Sequence, residues 1–317
     1  MYRDRGKKVM RIHKLILLLV LLLLPGVLYG QAKVATTGAQ FLEIGVSARA
    51  VGMGEAFISI ADDATALYYN PAGLTQIYDR QVVFTHIDYA ADMSYEFGGV
   101  VLPMWSLGGV IGFGVYMLDA GTIEETTHEY STGTGRTFGA KEYALGASYA
   151  RSLTDHFSVG VTLKVIDQLY EEERATGWAA DVGTTYNTGY RGFRISMVIS
   201  NFGPDMRFIT EAHPLPINFK FGGSFNVIES DLHRTTVSLE ASHPADNLEK
   251  YAGGIEYTFK DMFSLRMGQK FQIDTGGFSA GAGIALPIND WNIRFDYAYF
   301  DFGVLQSVHR FTFGMSF

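Results

Sequence analysis

The side chains able to do chemistry fall into a few groups. Asp62 and Asp63 stand side by side shortly after Arg49, and Asn70-Pro71-Ala72-Gly73 follows them. Adjacent carboxylates can hold a cation, and either one can cap a short helix over Ala64–Tyr69 by accepting its free amide protons. Pro71 pushes Asn70 out of the helical region and ends that helix. Helix termination and tight docking account for Asn70, Pro71, Ala72 and Gly73, with ligand contact as the competing reading. Glu171-Glu172-Glu173, with Glu124, Glu125 and Glu129, marks acidic loops. Such runs are solvated faces before they are cation sites or docking patches for a basic partner. His86, His128, His156, His213, His233, His243 and His309 are scattered, with no spacing that makes a triad or a metal site. His86 and Asp88 share one strand face, and nothing else joins them. No catalytic residue, metal or cofactor is expected.

The elements that must position these residues begin with a leader. Arg3, Arg5, Lys7, Lys8, Arg11 and Lys14 precede the apolar run Leu15 to Leu24, with Pro25 and small residues near Gly30. This reads as a secretory signal peptide over residues 1–30, cleaved near Gly30 or Ala32, since the run is too short to span a bilayer. The start is Met1 or Met10, because Met10 to Gly30 already makes a complete signal. The whole chain has a formal charge of −8, and loss of the basic leader makes the remainder more acidic still. Such a chain is a poor partner for nucleic acid. Cys is absent from the sequence, which excludes disulfides, thiol catalysis, Cys-ligated zinc and acylation on an N-terminal Cys.

From Gln81 onward the period is two. Phe157, Val159, Val161, Leu163 and Val165 alternate with Ser158, Gly160, Thr162 and Lys164, and Trp291, Ile293, Phe295, Tyr297 and Tyr299 alternate with Asn292, Arg294, Asp296 and Ala298. One face therefore meets apolar surroundings and the other polar ones. About fourteen such segments lie between Gln81 and Phe317, each long enough to span a membrane as a tilted strand. Brief turns at Pro103–Ser106, Arg151–His156, Tyr190–Gly192, Glu229–Leu232, Lys260–Asp261 and Pro287–Asp290 alternate with longer connections. The longer ones are Asp119–Ala140, Tyr170–Thr176, Gly203–Leu215, Ser242–Leu248, Gln272–Gly276 and Phe300–Leu305. Short turns opposite long loops, with 36 Gly, 18 Tyr and 23 Phe, fit an all-β transmembrane antiparallel barrel over 81–317.

The alternation places Lys164, Arg194, Lys220, Arg266, Arg294 and Arg310 inward, with Glu142, Asp181, Glu240, Glu256 and Asp296. On the lipid face each would cost up to roughly 2–4 kcal/mol. A selective pore would carry one sign, so mixed signs fit a paired wall against which something packs. In the first three strands Val82, Phe84, Val100, Leu102, Val110 and Leu118 are assigned inward as apolar contacts for Phe41, Ile44 and Met53, or as a hydrophobic path.

The segment 31–80 differs from the strands. Gly45, Gly52 and Gly54 allow tight bends and close backbone approach, so Gly38 to Leu74 reads as a compact plug. Its run Gly45-x-x-Ala48-Arg49-Ala50-Val51-Gly52-Met53-Gly54, then Ala61-Asp62-Asp63-Ala64 and Asn70-Pro71-Ala72-Gly73-Leu74, resembles the start of the PorV/PorQ family of outer-membrane proteins. That family is related in fold to the fatty-acid transporter FadL. The resemblance implies a barrel of fourteen strands with an N-terminal hatch in its lumen, in which Arg49, Gly52, Gly54, Asp62, Asp63, Asn70, Pro71, Ala72 and Gly73 form the hatch motif. The alternating end at Phe313, Met315 and Phe317 looks like the signal read by the barrel-assembly machinery.

What the resemblance implies about function is an accessory of type IX secretion in the bacterial outer membrane. Its partners would be membrane lipid, secretion-system proteins or secreted cargo. The alternative is FadL-like passive transport of a hydrophobic ligand such as a fatty acid or an aromatic hydrocarbon. The charged, glycine-rich lumen favours the first, and the apolar inner faces assigned to the first strands favour the second.

Overall fold

A computed structural model describes residues 36–273 and 276–317. Sixteen strands occur among them. β1 is Gln81–Asp88, β2 Ser94–Met104, β3 Gly109–Glu124, β4 Thr137–Ser152, β5 Phe157–Tyr170, β6 Glu173–Asn187, β7 Arg194–Phe202, β8 Met206–Phe208 and β9 Glu211–His213. Then come β10 Asn218–Glu229, β11 His233–Pro244, β12 Lys250–Phe259, β13 Phe263–Phe271, β14 Phe278–Ile288, β15 Trp291–Asp301 and β16 Ser307–Ser316. Fourteen of these pair in sequence order into one closed antiparallel barrel, while β8 and β9 make a separate hairpin in the loop after β7. Closure is made by β1 and β16, in register from Gln81↔Ser316 to Asp88↔His309. Backbone bonds between Arg80 and Phe317 in both directions (2.9 and 3.1 Å) extend the seam by one residue.

Side-chain alternation decides what the two faces meet. Leu163, Val165, Leu239 and Leu265 project outward and stay at least 60% exposed, each flanked by inward residues that are buried or partly buried. Water would not tolerate an apolar belt of this extent on a monomer, whereas hydrocarbon does, and closure leaves no unpaired edge within it. Lys164, Asp181, Glu240, Glu256, Arg266, Asp296 and Arg310 are all buried on the inner face, where the alternation puts them.

Two expectations fail in the wall. In β1 and β2 the inward residues are Val83, Thr85 and Ile87, then Tyr95, Phe97 and Val101. Phe84 is half exposed, and Val82, Val100 and Leu102 share its outward phase rather than facing the lumen. The cause is that both parities are apolar here, so period two has no polar face to anchor it. Val110 and Leu118 of β3 do follow the inward phase. The long connection expected at Tyr170–Thr176 is instead a two-residue turn, Glu171-Glu172, between β5 and β6, with Glu171 at φ 56°. Both strands continue beyond the expected boundary, and Arg174 pairs with Asp167 across them. The acidic run thus sits at a hairpin tip.

Candidate functional site: the N-terminal segment against the barrel wall

Among the described residues before β1 the chain forms only short turns of helix. These are Gln40–Glu43, Ala48–Gly52, Ala66–Tyr69 and Pro71–Gln76. Ser47 caps the second by accepting from the Ala50 amide (3.3 Å). Ala48, Ala50, Met53, Phe57, Leu67, Ala72 and Leu74 are almost completely buried, and the segment bonds repeatedly to inward side chains of the strands. The Ala48 amide donates to Thr312 (3.0 Å), the Gly54 amide to Ser279 (3.1 Å), and those of Phe57 and Ile58 to Glu240 (2.9 and 3.1 Å). Its small residues follow from this position, because only short side chains let its backbone lie on the wall. Gly54 has φ +66°, and a Cβ on Gly268 opposite would come within 2.0 Å of the Gly54 nitrogen. Neither position accepts a side chain without moving backbone.

Arg49 is the centre of the charged contact. Its Nε and Nη2 donate to the two oxygens of Glu256, both at 2.9 Å, the fork-to-fork geometry of a strong pair. Its Nη1 reaches Asp62 at 2.6 Å and Asp63 at 3.1 Å. Arg266 binds Glu256 and Asp296, each at 2.6 Å. Arg294 bridges Asp63 and Asp296. Three guanidinium groups therefore interlock with four carboxylates, and each of Asp63 and Glu256 is shared between segment and wall. Burial alone would raise the Asp63 carboxyl, but Arg294 and Arg49 hold it well below the usual carboxylate range. Burial likewise opposes the charge on Arg49, and Asp62 and Glu256 more than restore it, leaving its pKa raised.

Asn70 is fully buried and makes the second contact. It is extended, ends the helix Ala66–Tyr69 and caps the next turn by accepting from the Ala72 amide (3.0 Å). Its Nδ2 donates to the Ile58 carbonyl (2.8 Å) and to Thr185 on β6 (3.0 Å). Pro71 starts the following turn, and Gly73 packs on Ala61 so closely that a Cβ would lie 2.1 Å from its carbonyl oxygen. Gly52 lies against Gly281 of β14. The helix expected over Ala64–Tyr69 is shorter, and its N-cap residue Thr65 makes no side-chain cap. Asp63 bonds the Thr65 amide and hydroxyl (2.9 and 2.5 Å) while keeping its other oxygen for the arginines.

The structure brings Arg49, Asp62 and Asp63 together, and joins them to Glu256, Arg266, Arg294 and Asp296. Asn70 to Gly73 lie apart, against β5 and β6. Met53 packs on Gly254 and Gly268, while Leu67 rests on Gly99 and Gly112 and its carbonyl accepts from Tyr116 (3.4 Å). Of the residues assigned to the first strands as partners of Phe41, Ile44 and Met53, Val110 and Leu118 do pack in their apolar cluster, while Val82, Phe84, Val100 and Leu102 do not. Sequence reasoning also missed the Glu55–Lys270 pair and the bulge at Asn201. There Asp181 accepts from the Asn201 amide (2.7 Å) and pairs with Lys164 (2.8 Å). Neither pairing carries a local sequence signal. Phe313, Met315 and Phe317 all have the outward parity, and the Phe317 ring lies 6.2 Å from that of Trp291. His86 contacts Glu96 (2.5 Å) and Asp88 (3.1 Å) on the outer side of β1 and β2. Among the described residues no cluster of His, Asp and Glu could hold a metal ion.

A closed fourteen-stranded barrel with an apolar outer wall and charged side chains turned inward is an integral outer-membrane barrel. The family model for the type IX secretion system protein PorV matches residues 29–244. The chain belongs to the PorV family. Among solved structures it is similar to the Ralstonia pickettii toluene transporter TbuX, with TM-score 0.58 and 12% identity over 86% of this chain and 97% of that one. The Pseudomonas putida toluene transporter TodX gives 0.55 and 11% over 79% and 92%. A Pseudomonas aeruginosa FadL homologue gives 0.51 and 10% over 86% and 98%. At these identities the likeness is one of fold. No curated protein matches the chain.

Proposed function

We propose that this barrel is a non-catalytic accessory of type IX protein secretion, which presents its loops and rim to secretion components or cargo while the N-terminal segment seals the lumen. The observation that carries the reading is the PorV family match, which spans the N-terminal segment and most of the strands. The ion network around Arg49 supports it, because seven interlocked charges make a better seal than a path for an apolar molecule. The toluene transporters of similar fold raise uptake of hydrophobic molecules as the competing role, and for that role the segment would have to act as a moving hatch. Export rests on residues 1–30 acting as a cleaved signal peptide, which lies outside the described residues. Insertion rests on the C-terminal strand being read by the assembly machinery.

One engineered disulfide separates the two roles. Ser59 of the segment and Ser238 of β11 lie with their hydroxyl oxygens 3.3 Å apart, so the pair Ser59→Cys and Ser238→Cys suits a bond, in a chain with no other thiol. Oxidised protein in its native membrane should still co-purify with secretion components. If oxidation instead abolishes toluene or fatty-acid uptake reversibly, and no secretion component is recovered from the reduced protein, the accessory role is wrong.

A further inference from the structure

The apolar character of the lipid-facing wall breaks at the seam of the barrel. His86, Asp88 and Glu96 all have the outward parity, at the end that bears the long connections, where Asp88 closes β1 and Ser94 opens β2. The His86 ring bridges the two carboxylates, at 2.5 Å to Glu96 and 3.1 Å to Asp88. The Asp88 side chain is 64% exposed, and the second Glu96 oxygen is covered and lacks a donor. Among the described residues no lysine or arginine lies within ion-pair distance of either acid. A protonated His86 would therefore still leave one negative charge over. His309, opposite Asp88, is engaged by Tyr297 (2.8 Å) and Ser307 (3.1 Å). Near the same end Asp119 is matched by Lys141 (3.0 Å) and Asp167 by Arg174. An unmatched acid on the lipid side is costly, and it calls for a cation from outside the chain.

The register sets the outward side chains of β15, β16, β1 and β2 in rows. The upper row is Tyr299, His309, Asp88 and Ser94, and the middle row Tyr297, Phe311, His86 and Glu96. The lower row is Phe295, Phe313, Phe84 and Gly98. Polarity falls from row to row, as it does from the headgroups of a bilayer into its hydrocarbon. Tyrosine is favoured at headgroup level, and aromatic faces attract an ammonium group. An external groove of about 520 Å³ runs over these rows, lined by Phe84, His86, Ile284, Phe295, Tyr297 and Phe311 among others. Opposite Phe84, a Cβ on Gly98 would meet nothing within 4 Å, so the wall is open there. Phe84, Phe295 and Phe311 are each about half exposed (51, 49 and 48%). They stand as separate sides of a slot, which suits one acyl chain better than a flat protein face.

We propose that the outer face of the seam binds one membrane lipid whose headgroup carries a primary ammonium. The ammonium rests on Asp88 with Glu96 behind it, and an acyl chain lies in the groove along Phe84, Phe295 and Phe311. Phosphatidylethanolamine has this chemistry. The site lies outside the lumen, asks for no movement of the N-terminal segment and does not depend on the role in secretion. The lipid would supply the counter-charge that the wall lacks, at the junction where the first and last strands close the barrel.

The test is native mass spectrometry of the purified mature protein in a non-ionic detergent, titrated with chain-matched lipids. The probes are phosphatidylethanolamine, its N-acetyl derivative, which lacks the ammonium, and phosphatidylglycerol. Phosphatidylethanolamine should bind with one-to-one stoichiometry and about fivefold or more tighter than either other probe, the upper range for an exposed ion pair. The double variant Asp88→Asn, Glu96→Gln should bring it down to the level of the N-acetyl derivative. Ala282→Trp, which fills the groove from β14, should weaken it while both acids remain, and keeps the test decisive if the double variant fails to assemble. Equal binding of the three lipids to the native protein would overturn the proposal. So would an ethanolamine preference that survives the double variant, or binding untouched by Ala282→Trp. If the lipids bind alike and the double variant instead loses secretion components from native membrane, the seam is a protein contact and the lipid site is wrong.

Discussion

Removing the Arg49 guanidinium should free the N-terminal segment while leaving the barrel assembled. In Arg49→Ala the side chain lost is 9% exposed and makes four contacts of 2.6–3.1 Å with Asp62, Asp63 and Glu256. Truncating one partner of a buried ion pair costs about 3–5 kcal/mol, because the other is left buried and unpaired. Here Glu256 keeps Arg266 at 2.6 Å and Asp63 keeps Arg294, so the lower end of that range applies. A loss of about 3 kcal/mol raises the population of the undocked segment roughly a hundredfold. The strands keep their ladders, so the effect is local rather than global.

Native-state hydrogen exchange reads this directly. The amides of Val51, Met53 and Glu55 are bonded within the segment and should exchange about a hundredfold faster in Arg49→Ala, while amides in β12 and β13 stay at their original rates. A cycle with Glu256→Gln should give a double variant less destabilised than the two single effects combined, since the residues share one interaction. If exchange around residues 48–55 is unchanged in Arg49→Ala, the network does not hold the segment and the argument from ion pairing fails. If the strands loosen by the same factor, Arg49 supports the barrel itself.

Three further outcomes follow from the same contacts. Asp63 has a depressed folded-state pKa, so its contribution to docking is fully present above the ordinary Asp value of 3.8 and is lost only as pH falls below that; protection of the segment should therefore show no pH-dependent change from Asp63 between neutral pH and that value, and Asp63→Asn should be loosened throughout. Gly268→Val should displace Gly54, whose nitrogen lies 2.0 Å from the new Cβ, whereas Gly98→Val meets nothing within 4 Å; protease cleavage of the segment should rise in the first and not in the second. Phe317→Asp should lower the yield of heat-modifiable barrel in membranes far more than Ser316→Asn, and equal yields would remove the C-terminal strand from the assembly argument.

How much of this was legible depended on whether a strand had two different faces. In β5 and β15 one parity is apolar and the other carries Ser158, Thr162 and Lys164, or Arg294 and Asp296, so phase and orientation follow from the sequence. In β1 the run Val82-Val83-Phe84 offers apolar residues at both parities, and only the pairings Val83↔Gly99 and Ile87↔Tyr95 resolve which faces the lumen. The hairpin at Glu171-Glu172 was hidden for a different reason. A run of acidic residues reads as a loop, yet Glu173 pairs with Tyr170 and Arg174 neutralises Asp167 across the strands. Local composition cannot report a cross-strand ion pair.

The site divides along the same line. Arg49, Asp62 and Asp63 belong to one motif, and their partners were assigned inward from alternation alone. Which acid meets which base was not legible, because Arg49 and Glu256 are 207 residues apart in sequence and any inward base could serve any inward acid. The pairing that results has a consequence for function. Each of the three arginines is shared between carboxylates, and every carboxylate of the set faces at least one of them. No uncompensated row of one sign is left there for an ion to follow. The charges of this network are spent on holding the segment against the wall.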